Sequence, residues 1–89
     1  MKMVYARNPG VIETDLKHEV VLLDPATQQM FRLNETGRVV WQMLPADGEE
    51  SLIDEVVTRF EVSREDAERD VRRLLSELVK AQLVETRGA

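Results

Sequence analysis

The sequence predicts an α+β domain of winged helix-turn-helix type, a three-stranded antiparallel sheet followed by three helices. Three observations carry this. Short β-branched and aliphatic stretches fill residues 11 to 33, and capped apolar stripes at helical spacing fill most of the chain from Asn34 onward. The chain has 89 residues, 43% apolar and 33% charged, which is one domain's worth of soluble protein.

The first two strands are expected at Val11 to Asp15 and Glu19 to Asp24, with the polar Lys17-His18 between them. Asp24-Pro25-Ala26-Thr27 carries turn chemistry, because proline presets φ and aspartate accepts local backbone hydrogen bonds. Gln29 to Leu33 follows as the third strand, with Phe31 and Leu33 on one face and Met30 and Arg32 on the other. A sheet this small needs a covering layer. Asn34 caps the first helix, Glu35 suits its positive end, and Val40, Trp41 and Leu44 recur at helical spacing until Pro45 ends it.

Ala46-Asp47-Gly48 reads as a loop. Ser51 with Asp54 resembles a capping box for the second helix, whose apolar stripe is Leu52, Ile53, Val56, Val57 and Phe60. Ser63 with Asp66 repeats the device for the third, with Val62 placed as a staple and Ala67, Val71, Leu74, Leu75 and Leu78 on the buried face. Gln82 to Thr86 either extends this helix or adds a short strand, and Arg87-Gly88-Ala89 is expected to fray. Residues 1 to 89 make a single domain, its core running from about 11 to 84.

Composition removes several function classes. A chain of this size encloses little cavity volume, which disfavours large-cofactor enzymology. With no cysteine there are no disulfides, thiolate nucleophiles or cysteine metal sites, and a reducing, cytoplasmic setting is expected. The longest aliphatic run, Val20 to Leu23, is far too short to cross a bilayer, and the N-terminus carries no export signal, so no membrane partner is expected. The single histidine, His18, falls in a turn, and the acids Glu65, Asp66, Glu68 and Asp70 point in different directions around a helix. Catalytic residues, metal ligands and cofactors are therefore expected to be none.

A winged helix raises the question of DNA, since helix three carries Arg64, Arg69, Arg72 and Arg73. The four acids interleaved among them cancel that charge, and the whole chain carries a net charge of -5. A helix with no positive field holds phosphates poorly, so no nucleic-acid partner is expected. Trp41 lies on an apolar helix face, where core packing is its ordinary role. The third strand differs. At a sheet edge its backbone groups are unpaired, and beside helix three it can accept an extended peptide as one more strand.

The residues Val21-Leu22-Leu23-Asp24, Phe31-Arg32-Leu33-Asn34-Glu35-Thr36-Gly37 with Trp41 and Leu44, and Asp70-Val71, Leu74-Leu75, Leu78 and Leu83-Val84 together resemble the PqqD-like proteins, also called RiPP recognition elements. The resemblance spans about residues 11 to 84, and the combination is more specific than any piece. Gln82 departs from it, since the family usually has glycine just before the final Leu-Val. The resemblance implies a non-catalytic module that binds the leader of a ribosomally made precursor peptide as an added strand between strand three and helix three. A separate leader peptidase or modifying enzyme then acts on that peptide. The Leu-Asp-Pro turn and the Leu-Asn-Glu-Thr-Gly helix start look most like the stand-alone proteins of lasso-peptide biosynthesis. The alternatives are a peptide chaperone of the PQQ pathway with the same fold, or a small winged-helix DNA-binding regulator.

The expected leader-binding residues are Gln29, Met30, Phe31, Arg32 and Leu33 on the strand and Asp70, Val71, Arg73 and Leu74 on the helix. Val71 and Leu74 are expected to be partly core. The opposite flank of helix three carries Glu68, Arg72 and Val79, and the pattern does not choose between the flanks.

Overall fold

The structure, a computed structural model, describes residues 3–88. Strands β1 (Met3–Arg7), β2 (Ile12–Asp15), β3 (Val20–Asp24) and β4 (Gln29–Leu33) precede helix α1 (Glu35–Met43). The two-residue strand β5 (Ala46–Asp47), helices α2 (Glu50–Phe60) and α3 (Arg64–Lys80) and strand β6 (Val84–Gly88) complete the chain. Two antiparallel three-stranded sheets result, ordered β2-β3-β4 and β5-β1-β6.

The first sheet is the one expected from sequence, a meander closed by two tight turns. Leu16 N–H donates to the Glu19 carbonyl at 2.9 Å across Lys17-His18, where Lys17 takes φ +75°. At the other end Gln28 N–H donates to the Asp24 carbonyl at 2.7 Å, and the Asp24 carboxylate accepts from Ala26 N–H at 3.0 Å. Aspartate thus performs the turn role its position suggested.

The second sheet was not expected. β6 pairs with β1 from Met3 opposite Gly88 to Arg7 opposite Val84, and β5 lies on the other side of β1. The Gln82 to Thr86 segment therefore turns into a strand instead of lengthening the helix, Ala46-Asp47 is a strand and not a loop, and Arg87 and Gly88 are paired where fraying was expected. Ala89 lies outside the described residues. The pairing joins the two ends of the chain, so no local turn signal announces it.

Asn34 caps α1 by accepting from Gly37 N–H at 2.9 Å, and Ser63 caps α3 by accepting from Asp66 N–H at 3.1 Å. The box expected at Ser51 does not form. Glu49 precedes α2 with helical backbone and makes no side-chain cap bond, so the helix starts at Glu50 and Ser51 lies inside it. Asp54 instead accepts from Arg64 at 2.7 Å, tying α2 to α3. Val62 is exposed and staples nothing.

Helix α1 packs on β3 and β4 of the first sheet, α2 on β5 and α3 on β6 of the second, and the three helices pack on one another. Leu22 and Val20 of β3, Val40 and Trp41 of α1, Leu52, Ile53 and Val56 of α2, and Val71 and Leu75 of α3 share one core. Each such aliphatic side chain contributes about 1.5–3 kcal/mol on burial. Trp41 is core, as its position suggested, and its indole N–H is satisfied by the Glu13 carboxylate of β2. The guanidinium of Arg7 lies 5.9 Å from the same ring. Helix α1 clasps β2 again through Arg38, whose Nε and Nη2 donate to the two Asp15 oxygens at 2.7 and 2.9 Å. This bidentate bond, with help from Lys17 N–H, holds the Asp15 carboxyl at about 2, below its ordinary 3.8.

Candidate functional site: an open strand edge facing helix α3

Bonded and non-bonded residue pairs alternate along an antiparallel ladder. The Leu16–Glu19 bond sets the phase of the β2–β3 hairpin. With Thr14 opposite Val21 and Ile12 opposite Leu23, the backbone groups of Val21 and Leu23 point toward β2, so those of Val20, Leu22 and Asp24 point toward β4. Their partners on β4 are Leu33, Phe31 and Gln29. The N–H and C=O groups of Met30 and Arg32 therefore face outward at the free edge of β4.

That edge faces α3 across a groove of about 320 Å3. Arg32 and Leu33 form one wall. Asn34, Thr36 and Gly37, at the start of α1, form the floor, and Asp70, Arg73, Leu74 and Glu77 of α3 form the other wall. Gly37 is what lets the floor sit this close, because a Cβ there would lie 2.9 Å from the Leu33 Cβ.

Of the residues named from sequence, Arg32, Leu33, Asp70, Arg73 and Leu74 meet in this groove. Gln29, Met30 and Phe31 do not line it. Gln29 sits at the hairpin end of β4, the Met30 side chain is exposed on the outer face, and Phe31 packs on the core side. Val71 is buried completely, so its side chain belongs to the core alone. The floor residues and Glu77 were missed. Glu77 follows Asp70 and Arg73 at i+7 and i+4, so extending the flank by one turn would have found it.

The two flanks of α3 have different neighbours. Asp70 and Arg73 face β4, whereas Arg72 and Val79 border a second hollow of about 400 Å3 with Tyr5 of β1 and Thr86 of β6. Arg72 is also engaged, donating to Glu49 at 2.6 Å, and Arg64 donates to Glu50 and Asp54 at 2.5 and 2.7 Å. The guanidinium pKa values of both are raised by those carboxylates. The groove arginines are looser. Arg73 reaches Asp70 at 3.4 Å and Arg32 reaches Glu19 at 3.7 Å, leaving both exposed to a ligand. His18 lies in its turn 3.8 Å from Glu35, and no group of three or more metal-ligating side chains forms among the described residues. No helix among them is long and apolar enough to cross a membrane.

An open sheet edge set opposite a helix of a winged helix-turn-helix defines a class of small peptide-groove module. The family model described as coenzyme PQQ synthesis protein D (PqqD) matches residues 19–84, and the chain belongs to that family. Among solved structures it is similar to TbiB1 in complex with the TbiA(beta) leader peptide, at 28% identity and a TM-score of 0.82, over 94% of this chain and 99% of that one. A lasso peptide synthetase B1 complexed with the leader peptide shares the fold at 24% identity and a TM-score of 0.79, over 91% and 96% of the two chains. No curated protein matches.

Proposed function

We propose that this protein binds the leader region of a ribosomally synthesised precursor peptide as a fourth strand on β4 and presents it to a separate enzyme in lasso-peptide biosynthesis. The observation that carries the reading is the free edge of Met30 and Arg32 opposite the α3 wall, in a family member whose structural relative is described with a leader peptide bound. Main-chain bonds supply affinity, and the groove residues Arg32, Leu33, Asp70, Arg73, Leu74 and Glu77 supply selection. Gln29, Met30 and Phe31 take part through the strand itself.

The first sheet has a second free edge, at β2, and it suits a peptide poorly. Its outward-facing positions are Glu13 and Asp15, whose carboxylates are already clasped by Trp41 and Arg38 of α1. Such an edge is closed by its own side chains. The role is that of an adaptor without catalysis. The reaction belongs to a leader peptidase or modifying enzyme acting on the attached peptide. The family description supports a second reading, a peptide chaperone of the PQQ pathway, which differs in the precursor and not in the groove.

An amide chemical-shift map on titration with synthetic lasso-precursor and PQQ-pathway leader peptides tests the reading. Shifts are expected in β4 and along the Asp70, Arg73, Glu77 flank. Shifts confined to Arg72, Val79 and β6 would move the site, and no shift with either a lasso or a PQQ-pathway leader would end the proposal.

A further inference from the structure

The second sheet ends in an edge that the fold leaves unpaired. β6 bonds β1 on one side, and no described strand lies on the other. Asn8 N–H donates to the Leu83 carbonyl at 2.9 Å, one step beyond the Arg7–Val84 pair, and this fixes the phase of the ladder. Bonded and non-bonded pairs alternate, so Ala6–Glu85 and Val4–Arg87 are bonded pairs. The Gly48 N–H bond to the Met3 carbonyl, at 2.6 Å on the β5 side, agrees with that phase. The main-chain groups of Glu85 and Arg87 therefore point to β1, and those of Val84, Thr86 and Gly88 point outward. Val84 is buried and Thr86 borders the hollow beside α3, so the Glu85 and Arg87 side chains stand on the opposite, solvent face.

The strand Val84-Glu85-Thr86-Arg87-Gly88 is its own complement. Laid antiparallel on itself about Thr86, it sets Val84 opposite Gly88 and Thr86 opposite Thr86 as bonded pairs, so every outward-facing group finds a partner. Glu85 of each copy then falls opposite Arg87 of the other in a non-bonded pair, where side chains come closest, with Cα atoms about 4.5 Å apart. Sliding one strand by two residues, the smallest shift that keeps the outward groups paired, sets Glu85 on Glu85 or Arg87 on Arg87. Like charges directly opposite one another destabilise a strand pair, and opposite charges favour it. Charge on an edge strand ordinarily keeps other strands away. Here it repels the neighbouring registers and leaves one attractive.

We infer that β6 pairs with β6 of a second copy of this chain, joining two β5-β1-β6 sheets into one across a two-fold axis at Thr86. A strand of this length spans about 17 Å and buries well under the roughly 800 Å2 per partner of a standard stable interface. Each copy also carries a net charge of -5, which opposes association at long range and is screened beyond about 8 Å at physiological salt. The dimer is accordingly weak and transient, with a dissociation constant on the order of 0.1–1 mM. β4 and its groove lie on the other flank of α3, so each copy keeps its own peptide site open. Pairing at β6 is independent of what that groove binds.

The test is sedimentation equilibrium of the full chain, carrying no C-terminal tag, from about 20 μM to about 1 mM. Arg87→Glu and Glu85→Arg each put like charges into both cross-strand pairs, and the double exchange restores opposite ones. Each single variant is expected to raise the dissociation constant roughly tenfold or more, and the double variant to stay within about threefold of the parent. Mixing the two single variants is the sharper measurement, because one carries only acids and the other only arginines at these positions. The mixture is expected to associate at least about tenfold more tightly than either variant alone. Thr86→Pro removes an outward N–H and spares the bonds to β1, so it is expected to abolish the dimer while the circular dichroism spectrum is kept. If that variant does not fold, the charge exchanges decide alone. A monomer at every concentration would overturn the β6 pairing, and so would a dimer whose strength ignores the charge exchanges.

Discussion

Leu33, the last residue of β4, and Gly37, in the first turn of α1, approach so closely that a Cβ on residue 37 would lie 2.9 Å from the Leu33 Cβ. Two effects of Gly37→Ala oppose each other. Alanine favours a helix by about 1 kcal/mol over glycine, while forced overpacking costs about 1–3 kcal/mol. The atom it would strike is a Cβ fixed to the backbone, with no flexible end to swing aside, so the clash outweighs the propensity. Gly37→Ala is expected to lower stability in urea unfolding and to weaken leader binding by shifting the edge of β4 against the groove floor. A variant more stable than the parent would show that the contact can relax.

The phase of the ladder separates two neighbouring prolines. Met30→Pro removes an N–H that faces the free edge, so the sheet keeps its own bonds and the fold survives. Binding is expected to weaken by about 1–3 kcal/mol, the cost of one edge bond left unmade. Phe31→Pro removes an N–H that bonds β3 and displaces a half-buried ring, so it is expected to unfold the domain. Circular dichroism with leader titration checks both. Equal damage from the two would mean that the free edge is assigned to the wrong residues.

Charge reversal distinguishes the flanks of α3. Arg73→Glu and Asp70→Lys alter exposed, loosely paired side chains and are expected to change stability by less than about 0.5 kcal/mol. Their effect falls on which charged or polar leader residue is accepted, read as a change in rank order across a small set of leader variants. Arg72→Glu breaks the 2.6 Å bond to Glu49 on the opposite flank and is expected to leave that order unchanged.

The helical half of the fold and the meander were legible because their signals are local. Asn34 and Ser63 announce their helices within one turn, and Asp24 announces its hairpin. Ser51 offered the same kind of signal and misled, because a cap also requires extended backbone, and Glu49 continues the helix instead. The β1–β6 pair could not be read this way, since Met3 and Gly88 lie opposite each other with nearly the whole sequence between them and no local turn links their strands. The site divided along the same line. Asp70, Arg73 and Leu74 followed from helical spacing, whereas Thr36 and Gly37 reach the groove through the angle at which α1 leaves β4. Val71 shows the limit of a stripe argument, as a residue between two flanks can belong wholly to the core.

The Arg38 clasp on Asp15 makes part of the stability depend on pH in a defined direction. The folded carboxyl titrates at about 2, below its ordinary 3.8, so the unfolded chain takes up the proton first. The stabilisation is complete above about pH 5 and is lost progressively as pH falls through 3.8 and then through 2. Asp15→Asn keeps the shape and removes the charge. Thermal melts of the two proteins are expected to differ by a constant amount at neutral pH, to draw together as pH falls through 2 and to converge only below it. A gap unchanged between neutral pH and the acid side of 2 would show that the clasp does not depend on the charge of Asp15.

Helix α3 ends where the PqqD resemblance places a glycine and this chain has Gln82. Gln82 N–H donates to the Val79 carbonyl and Leu83 N–H to the Leu78 carbonyl, both at 3.0 Å, which is the paired bonding of a Schellman end. Gln82 holds φ +63°, the left-handed region, and its own carbonyl accepts from the Asn8 side chain at 2.9 Å. The turn glycine would make is thus kept, at the steric cost of a side chain, about 1–2 kcal/mol. Glycine relieves that cost but adds about 0.4–1 kcal/mol of chain entropy to the unfolded state. The difference favours Gln82→Gly by roughly 0.5–1 kcal/mol, while Gln82→Val, β-branched and less tolerant of positive φ, is expected to destabilise. Chemical denaturation of the three proteins is expected to order them glycine, glutamine, valine. Since Leu83 and Val84 lead directly into β6, a glycine variant less stable than the parent would mean that the Gln82 side chain contributes contacts that outweigh its strain.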